Sequence, residues 1–214
     1  MDFVPEIPWW FWALLGAVAG LKLLAAAMSS PKVKGRIGER RVSARLRGGL
    51  GDGYEILDDV YMPSREGETT QIDHVVVSPC GIFVVETKNW TGWIFGDAQS
   101  AKWTQIVHRK KSSFQNPIRQ NYRHICELGR NLGIDRSLFV SVVAVTGDCT
   151  FKTEMPEGVV YSRQAAEYIR SFTRELIKPE QVPEIVSAIL EWQASIPDSL
   201  KASHVSNLRR RMCR

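Results

Sequence analysis

Two apolar runs, Val75-Val76-Val77 and Ile82-Phe83-Val84-Val85, are separated only by Ser78, Pro79, Cys80 and Gly81. β-Branched and aromatic runs bounded by a Pro/Gly turn read as buried strands. A connection this short joins antiparallel strands. With Val77 opposite Ile82, the register pairs Val75 with Val84, Asp73 with Glu86 and Gln71 with Lys88. One face of the hairpin then climbs from an apolar base to a rim of two carboxylates, an amide and an ammonium. Directly opposed side chains have Cβ atoms about 4.5–5.5 Å apart, where like charges repel. Something positive must sit between Asp73 and Glu86. Lys88, two residues along the same face, supplies part of it. A divalent cation does so better, because Mg²⁺ takes one or two carboxylates and keeps waters for the rest.

The remaining chain frames that hairpin. A helix is expected over about 35–47, stopped by Gly48, Gly49 and Gly51. Strands follow at about 54–60, 71–77, 82–89, 92–96 and 102–107. Asn116 and Pro117 form an N-cap and first-turn pair opening a helix that ends at Gly133. A buried strand is expected over about 138–147 and a short one at 159–161, with helices over about 163–174 and 183–194. This order predicts an α/β domain with a mixed central sheet flanked by helices. On the first helix Glu39 shares a face with Val42 and Leu46, so it points inward, whereas Arg40, Arg41 and Arg47 point to solvent. An inward glutamate needs a partner.

Residues 7–28 are apolar apart from Lys22, and 22 residues at a rise of about 1.5 Å would span roughly 33 Å, enough for a bilayer. Trp9, Trp10 and Trp12 crowd one end, as indoles do at headgroups. Asp2 and Glu6 precede the segment and seven basic residues follow within 32–47, so the positive-inside bias places the N-terminus outside and the domain in the cytoplasm. A cleaved leader would instead need a basic start. The expected layout is a single-pass transmembrane anchor at 1–30, a domain at 31–196 and a basic tail at 197–214.

The net charge of +5 is a poor guide to partners. Residues 1–31 carry −1, residues 32–47 carry +6 and residues 201–214 carry +5, which leaves −5 for residues 48–200. Bulk charge therefore does not show that the domain grips a polyanion. Within that acidic middle, Arg109, Lys110 and Lys111 follow His108 as the one basic cluster and could contact phosphates. Cys80, Cys126, Cys149 and Cys213 form no close pair, which suits a reducing compartment. His74 falls on the sheet face opposite Asp73 and is expected to pack. Trp90, Trp93 and Trp103 lie in strand patterns and are expected in the core, with base stacking as the lesser alternative.

Taken in order, "GRIGERRV", "QIDHVVVSPCGIFVVETKN", the following Trp90 and Gly92, Trp103 and "FQNPIRQN" resemble the NERD (nuclease-related) domain, a branch of the PD-(D/E)XK nuclease superfamily, over about residues 35–132. The resemblance implies a restriction-endonuclease-like core and a metal-dependent phosphodiesterase site. It implies Glu39 as the acid of the first helix, Asp73 and Glu86 as ligands of Mg²⁺ or Mn²⁺, and Lys88 as the lysine of the acid-x-Lys motif. Gln120 would face the same cleft. Ile72 stands where the superfamily's name has proline. The resulting expectation is a membrane-tethered enzyme that cuts nucleic acid, DNA rather than RNA, with Glu39, Asp73, Glu86 and Lys88 in catalysis and Gln71, Gln120, Arg109, Lys110 and Lys111 on the substrate. A non-cutting module that binds nucleic acid or protein on the same fold is the alternative.

Overall fold

The computed structural model describes residues 8–28, 30–64, 69–198 and 200. It divides into two compact units, Met1–Ile37 and Gly38–Arg214. In the first, helix α1 (Trp9–Met28) exposes Trp10, Phe11, Trp12, Leu14, Leu15, Val18 and Leu21. Among the described residues no helix is long and apolar enough to cross a membrane. The transmembrane anchor expected at 7–28 is therefore unsupported. The described apolar side chains run from Trp10 to Leu21, about 18 Å of helix, before Lys22 interrupts them. Most of the tail expected at 197–214 lies outside the described residues, as does Cys213.

Helix α2 (Pro31–Gly49) extends beyond both expected ends. In the second unit its buried stripe is Gly38, Val42 and Leu46, and Arg40, Arg41 and Arg47 are exposed. A five-stranded sheet forms the centre, built from β1 (Glu55–Pro63), β2 (Thr69–Ser78), β3 (Gly81–Asn89), β7 (Phe139–Thr146) and β9 (Val159–Tyr161) in the order β1-β2-β3-β7-β9. β1, β2 and β3 are antiparallel, whereas β7 and β9 run parallel to β3, so the sheet is mixed as expected. The hairpin register is the expected one from Val77 opposite Ile82 to His74 opposite Val85, turning at Gly81 with φ 135°.

Helices cover both faces of this sheet. On one side Val75, Val77, Ile82 and Val84 pack with Ile125 and Leu128 of α3 (Pro117–Leu132) and Val182 and Ile189 of α5 (Gln181–Ser195). On the other, Val76, Phe83 and Val85 meet Val42 and Leu46 of α2 and Ala165, Ala166 and Ile169 of α4 (Ala165–Arg170). Helix α3 starts and stops where its caps dictate. Asn116 Oδ1 accepts from Ile118 N at 2.9 Å, and Gly133 takes the left-handed conformation at φ 66° that closes the last turn.

A second sheet, in the order β6-β5-β4-β8, joins β4 (Gly92–Phe95), β5 (Lys102–Val107), β6 (Lys110–Gln115) and β8 (Cys149–Phe151). Its inner face contributes Ile94 and Trp103 to a third core, together with Trp90, Val143, Val145 and Val159. Trp93 departs from expectation: paired with Ile106 and Thr150, it faces outward and is 51% exposed.

Candidate active site at the rim of the central sheet

The rim where β2 enters and β3 leaves gathers most of the expected site. Glu86 is buried on β3, and Lys88 Nζ donates to its Oε1 at 2.6 Å. Gln120, on the first turn of α3, joins them. Its Nε2 donates to Glu86 Oε1 at 2.7 Å, while its Oε1 accepts from Lys88 Nζ at 3.0 Å. The helix is placed for this by Asn121, fully buried, whose Nδ2 lies 2.8 Å from Val84 O, 2.9 Å from Ser141 Oγ and 3.2 Å from Val142 O. Each such bond contributes about 1 kcal/mol, and an orphaned buried group costs more.

Asp73 does not pair squarely with Glu86. The ladder between β2 and β3 ends at His74 and Val85, and Asp73 Oδ2 instead accepts from Thr87 N at 2.7 Å. Opposed carboxylates repel at cross-strand distance, and the turn onto a backbone N–H lessens that cost. Burial and the Glu86 charge nevertheless push the Asp73 carboxyl well above the usual range, with Glu39 adding to the effect. Burial would also raise Glu86, but the Lys88 ammonium and His124 outweigh it and hold its carboxyl down at about 2. For Lys88, burial opposes charge, and Glu86 foremost, with Asp73 and Glu39, raises its pKa nonetheless. Glu86 is thus the member of the pair whose charge its neighbours favour, and Asp73 the one whose charge burial and Glu86 disfavour.

Glu39 reaches this cluster because α2 lies close to the sheet. A Cβ at Gly38 would come within 3.0 Å of Thr146 Cγ2 and 3.2 Å of Asn89 Cβ, so a glycine lets the turn carrying Glu39 settle against the ends of β3 and β7. Gln71 is not part of the group, contrary to the expected pairing with Lys88. It sits opposite Tyr61 on β1, and its Nε2 donates to Asp59 Oδ1 at 2.6 Å. Arg109, Lys110 and Lys111 are exposed at the tip of the β5–β6 hairpin, on the second sheet.

His124 belongs to the cluster and was not expected there. It is buried on α3, with Nε2 3.3 Å from Glu86 Oε2 and Nδ1 3.0 Å from Thr70 Oγ1. Its spacing of four from Gln120 puts both on one helix face, and that is the signal by which it could have been found. His74 packs as expected: it is 1% exposed, its Nδ1 lies 2.7 Å from Asp58 Oδ1 and its Nε2 3.1 Å from Thr87 Oγ1.

The region 34–146 matches the model of the nuclease-related domain, NERD. The chain belongs to the NERD family. It is also 38% identical over 184 residues to an uncharacterised protein of Bacillus anthracis, a match that spans 83% of this chain and 85% of that protein. The NERD match takes in Glu39, Asp73, Glu86, Lys88 and Gln120 and points to a nuclease-like domain that meets nucleic acid. Among the described residues of this NERD domain no group of three or more His, Cys, Asp or Glu converges to hold a metal ion. What Asp73 and Glu86 offer is two carboxylates with hard oxygen donors, Asp73 bonded to Thr87 N and Glu86 to Lys88 and Gln120. That set fits a Mg²⁺ completed by water, and it is too small for a caged Ca²⁺ or a structural Zn²⁺.

Proposed function

We propose that this NERD domain is a metal-dependent phosphodiesterase that cuts DNA, with Asp73, Glu86, Lys88 and Glu39 as its working residues. One observation carries the reading: Glu86, Lys88 and Gln120 are bonded together at the rim of the sheet beside Asp73, whose carboxyl burial and the Glu86 charge push up despite its bond from Thr87 N. Perturbed carboxyls of this kind mark functional sites. Asp73 and Glu86 would hold Mg²⁺ or Mn²⁺, which when bound supplies Lewis-acid charge beside a phosphate. Lys88, kept protonated by its acidic neighbours, acts as a donor that orients water and steadies charge on the phosphate oxygens. Gln120 locks Lys88 and Glu86 in place. Glu39 supports the group from α2. In the reaction water adds to phosphorus and one P–O ester bond breaks, the departing oxygen taking a proton.

The test is cleavage of supercoiled and linear DNA by the full chain with Mg²⁺ or Mn²⁺, beside Lys88→Ala. Cleavage that chelation stops and Lys88→Ala loses supports the reading. Cleavage that persists in Lys88→Ala, Asp73→Ala and Glu86→Ala alike overturns the site. A second reading, a binding module without catalysis, draws on the contacts of Glu86, whose charge Lys88 and Gln120 already engage. Binding unchanged by chelation with no product under either metal would favour it.

We also propose that the domain is attached to the cytoplasmic face of a membrane through residues 7–28. The exposed aromatic and aliphatic side chains of α1 support this, as does the basic run at 32–47, since each basic charge near anionic lipid contributes about 1 kcal/mol. Flotation of the full chain with anionic vesicles, lost on replacing Trp10, Phe11 and Trp12 by serine, is the expected result. Equal flotation of both proteins would sink the attachment.

A further inference from the structure

The second sheet has one buried face and one open face, and the open face is chemically distinct from the rest of the domain. The inward positions Ile94, Trp103 and Phe114 lie in the third core. Alternation along the strands therefore turns Trp93, Lys102, Ile106, Lys111 and Thr150 outward. Register sets Lys111, Ile106, Trp93 and Thr150 side by side across all four strands. With neighbouring strands about 4.8 Å apart, Lys111 stands roughly 10 Å from Trp93. Lys152, just beyond β8, holds its Nζ 4.7 Å from the centre of the Trp93 ring. None of the outward positions of these four strands carries a carboxylate, although residues 48–200 carry a net −5. Asp97, in the loop after β4, is turned onto Gln99 N and Ser100 N, at 2.7 Å each.

An indole 51% exposed on an inner strand of the sheet, with a lysine on each side and no carboxylate at the outward strand positions, has the makeup of a stacking platform. Duplex DNA offers such a surface only its phosphates, because its bases are already stacked on one another. An unpaired strand offers both phosphates and a base face. We infer that the outer face of this sheet is a binding platform for single-stranded nucleic acid, with one base stacked on Trp93 and the flanking phosphates on Lys111 and Lys152. Lys152 swings off the ring to a phosphate as the base replaces it, and Lys102 extends the cationic track along β5. The inference rests on the nucleic-acid reading above and deepens it: it names the strand form that the domain holds.

The experiment is fluorescence anisotropy of a labelled oligothymidylate and of a duplex of the same length, titrated with the full chain in EDTA so that no cutting intervenes. Wild type is expected to prefer the single strand. Trp93→Ala should weaken that binding about ten-fold, and Trp93→Phe should recover most of it. Lys111→Glu and Lys152→Glu should each weaken it and reduce its salt dependence. Because Trp93 is exposed, an unchanged thermal midpoint accompanies the loss. Equal affinity of wild type and Trp93→Ala for the single strand overturns the platform, and so does equal or tighter binding of the duplex. Lys88→Ala, measured alongside, separates the two readings. Cleavage lost in Lys88→Ala with binding indifferent to Trp93 removes the platform and leaves the nuclease, whereas Trp93-dependent binding without cleavage under any metal does the reverse.

Discussion

Two acid clusters lie within a few residues of each other on the central sheet, and they are built on opposite terms. Asp58, on β1, receives Ser43 Oγ at 2.7 Å and Arg47 Nη2 at 2.8 Å on Oδ2, and lies 2.7 Å from His74 Nδ1 through Oδ1. Burial alone would raise its pKa, but the bonds from His74, Arg47 and Ser43 outweigh it and hold the carboxyl well below the ordinary range. Asp73, on β2, has a backbone N–H and a nearby like charge, and its pKa moves up instead. Asp58 has its charge settled by three neighbours, whereas the charge of Asp73 is opposed by burial and by Glu86. The sign of the shift separates the two where burial does not.

Neutralising each acid turns that contrast into measurements. Asp73→Asn is expected to lower metal-dependent cleavage by about 100-fold or more, while the thermal midpoint stays level or rises as the repulsion with Glu86 disappears. A marked fall in the midpoint would erase the distinction. Asp58→Asn should do the opposite: metal-dependent cleavage persists, and the unfolding free energy in urea drops by about 1–2 kcal/mol. The lower end is favoured because the Asp58 side chain is 35% exposed.

The pH dependence follows from the same pair. The folded-state pKa of Asp58 lies below its unfolded value near 3.8, so its contribution is fully present above the unfolded value and is lost as pH falls from there through the lower folded-state pKa. Wild-type stability should therefore decline more steeply than that of Asp58→Asn as pH drops below about 5. Parallel declines would mean that the Asp58 bonds are not formed in solution. The smallest effect belongs to Arg47→Ala. Arg47 is 53% exposed, so the change should stay within about 0.5 kcal/mol, leaving His74 and Ser43 as the main support of Asp58.

Much of this was legible in the residues. The β2–β3 register followed from one turn and two apolar runs, and the helix from Asn116 to Gly133 from its caps. The edge of the hairpin was not legible, because extending the register assumes a flat ladder, and two facing carboxylates are themselves a reason for it to end. Gln71 was misplaced by that extension. Strands β6 and β8 escaped notice for a different reason: "KKSSFQ" and "CTF" have no apolar alternation long enough to register and are strands through their neighbours' hydrogen bonds. Trp93 was assigned to the core from residue type, although period-two alternation with the buried Ile94 was the better guide. The Asp58–His74 bond joins positions 16 apart on adjacent strands, which only the β1–β2 pairing brings together.

Asn116 does more than start a helix. Its amide nitrogen lies 2.8 Å from Ser100 O, 3.2 Å from Asp97 O and 3.3 Å from Ala98 O, and its backbone N donates to Ala101 O at 3.1 Å. Gln120 N in turn bonds Asn116 O at 3.1 Å, and the Gln120 side chain grips Lys88 and Glu86. The loop that links β4 to β5 is therefore hinged to the carboxylate rim through a single helical turn. The residue that fixes the loop of the outer sheet also fixes the turn from which Gln120 holds the lysine.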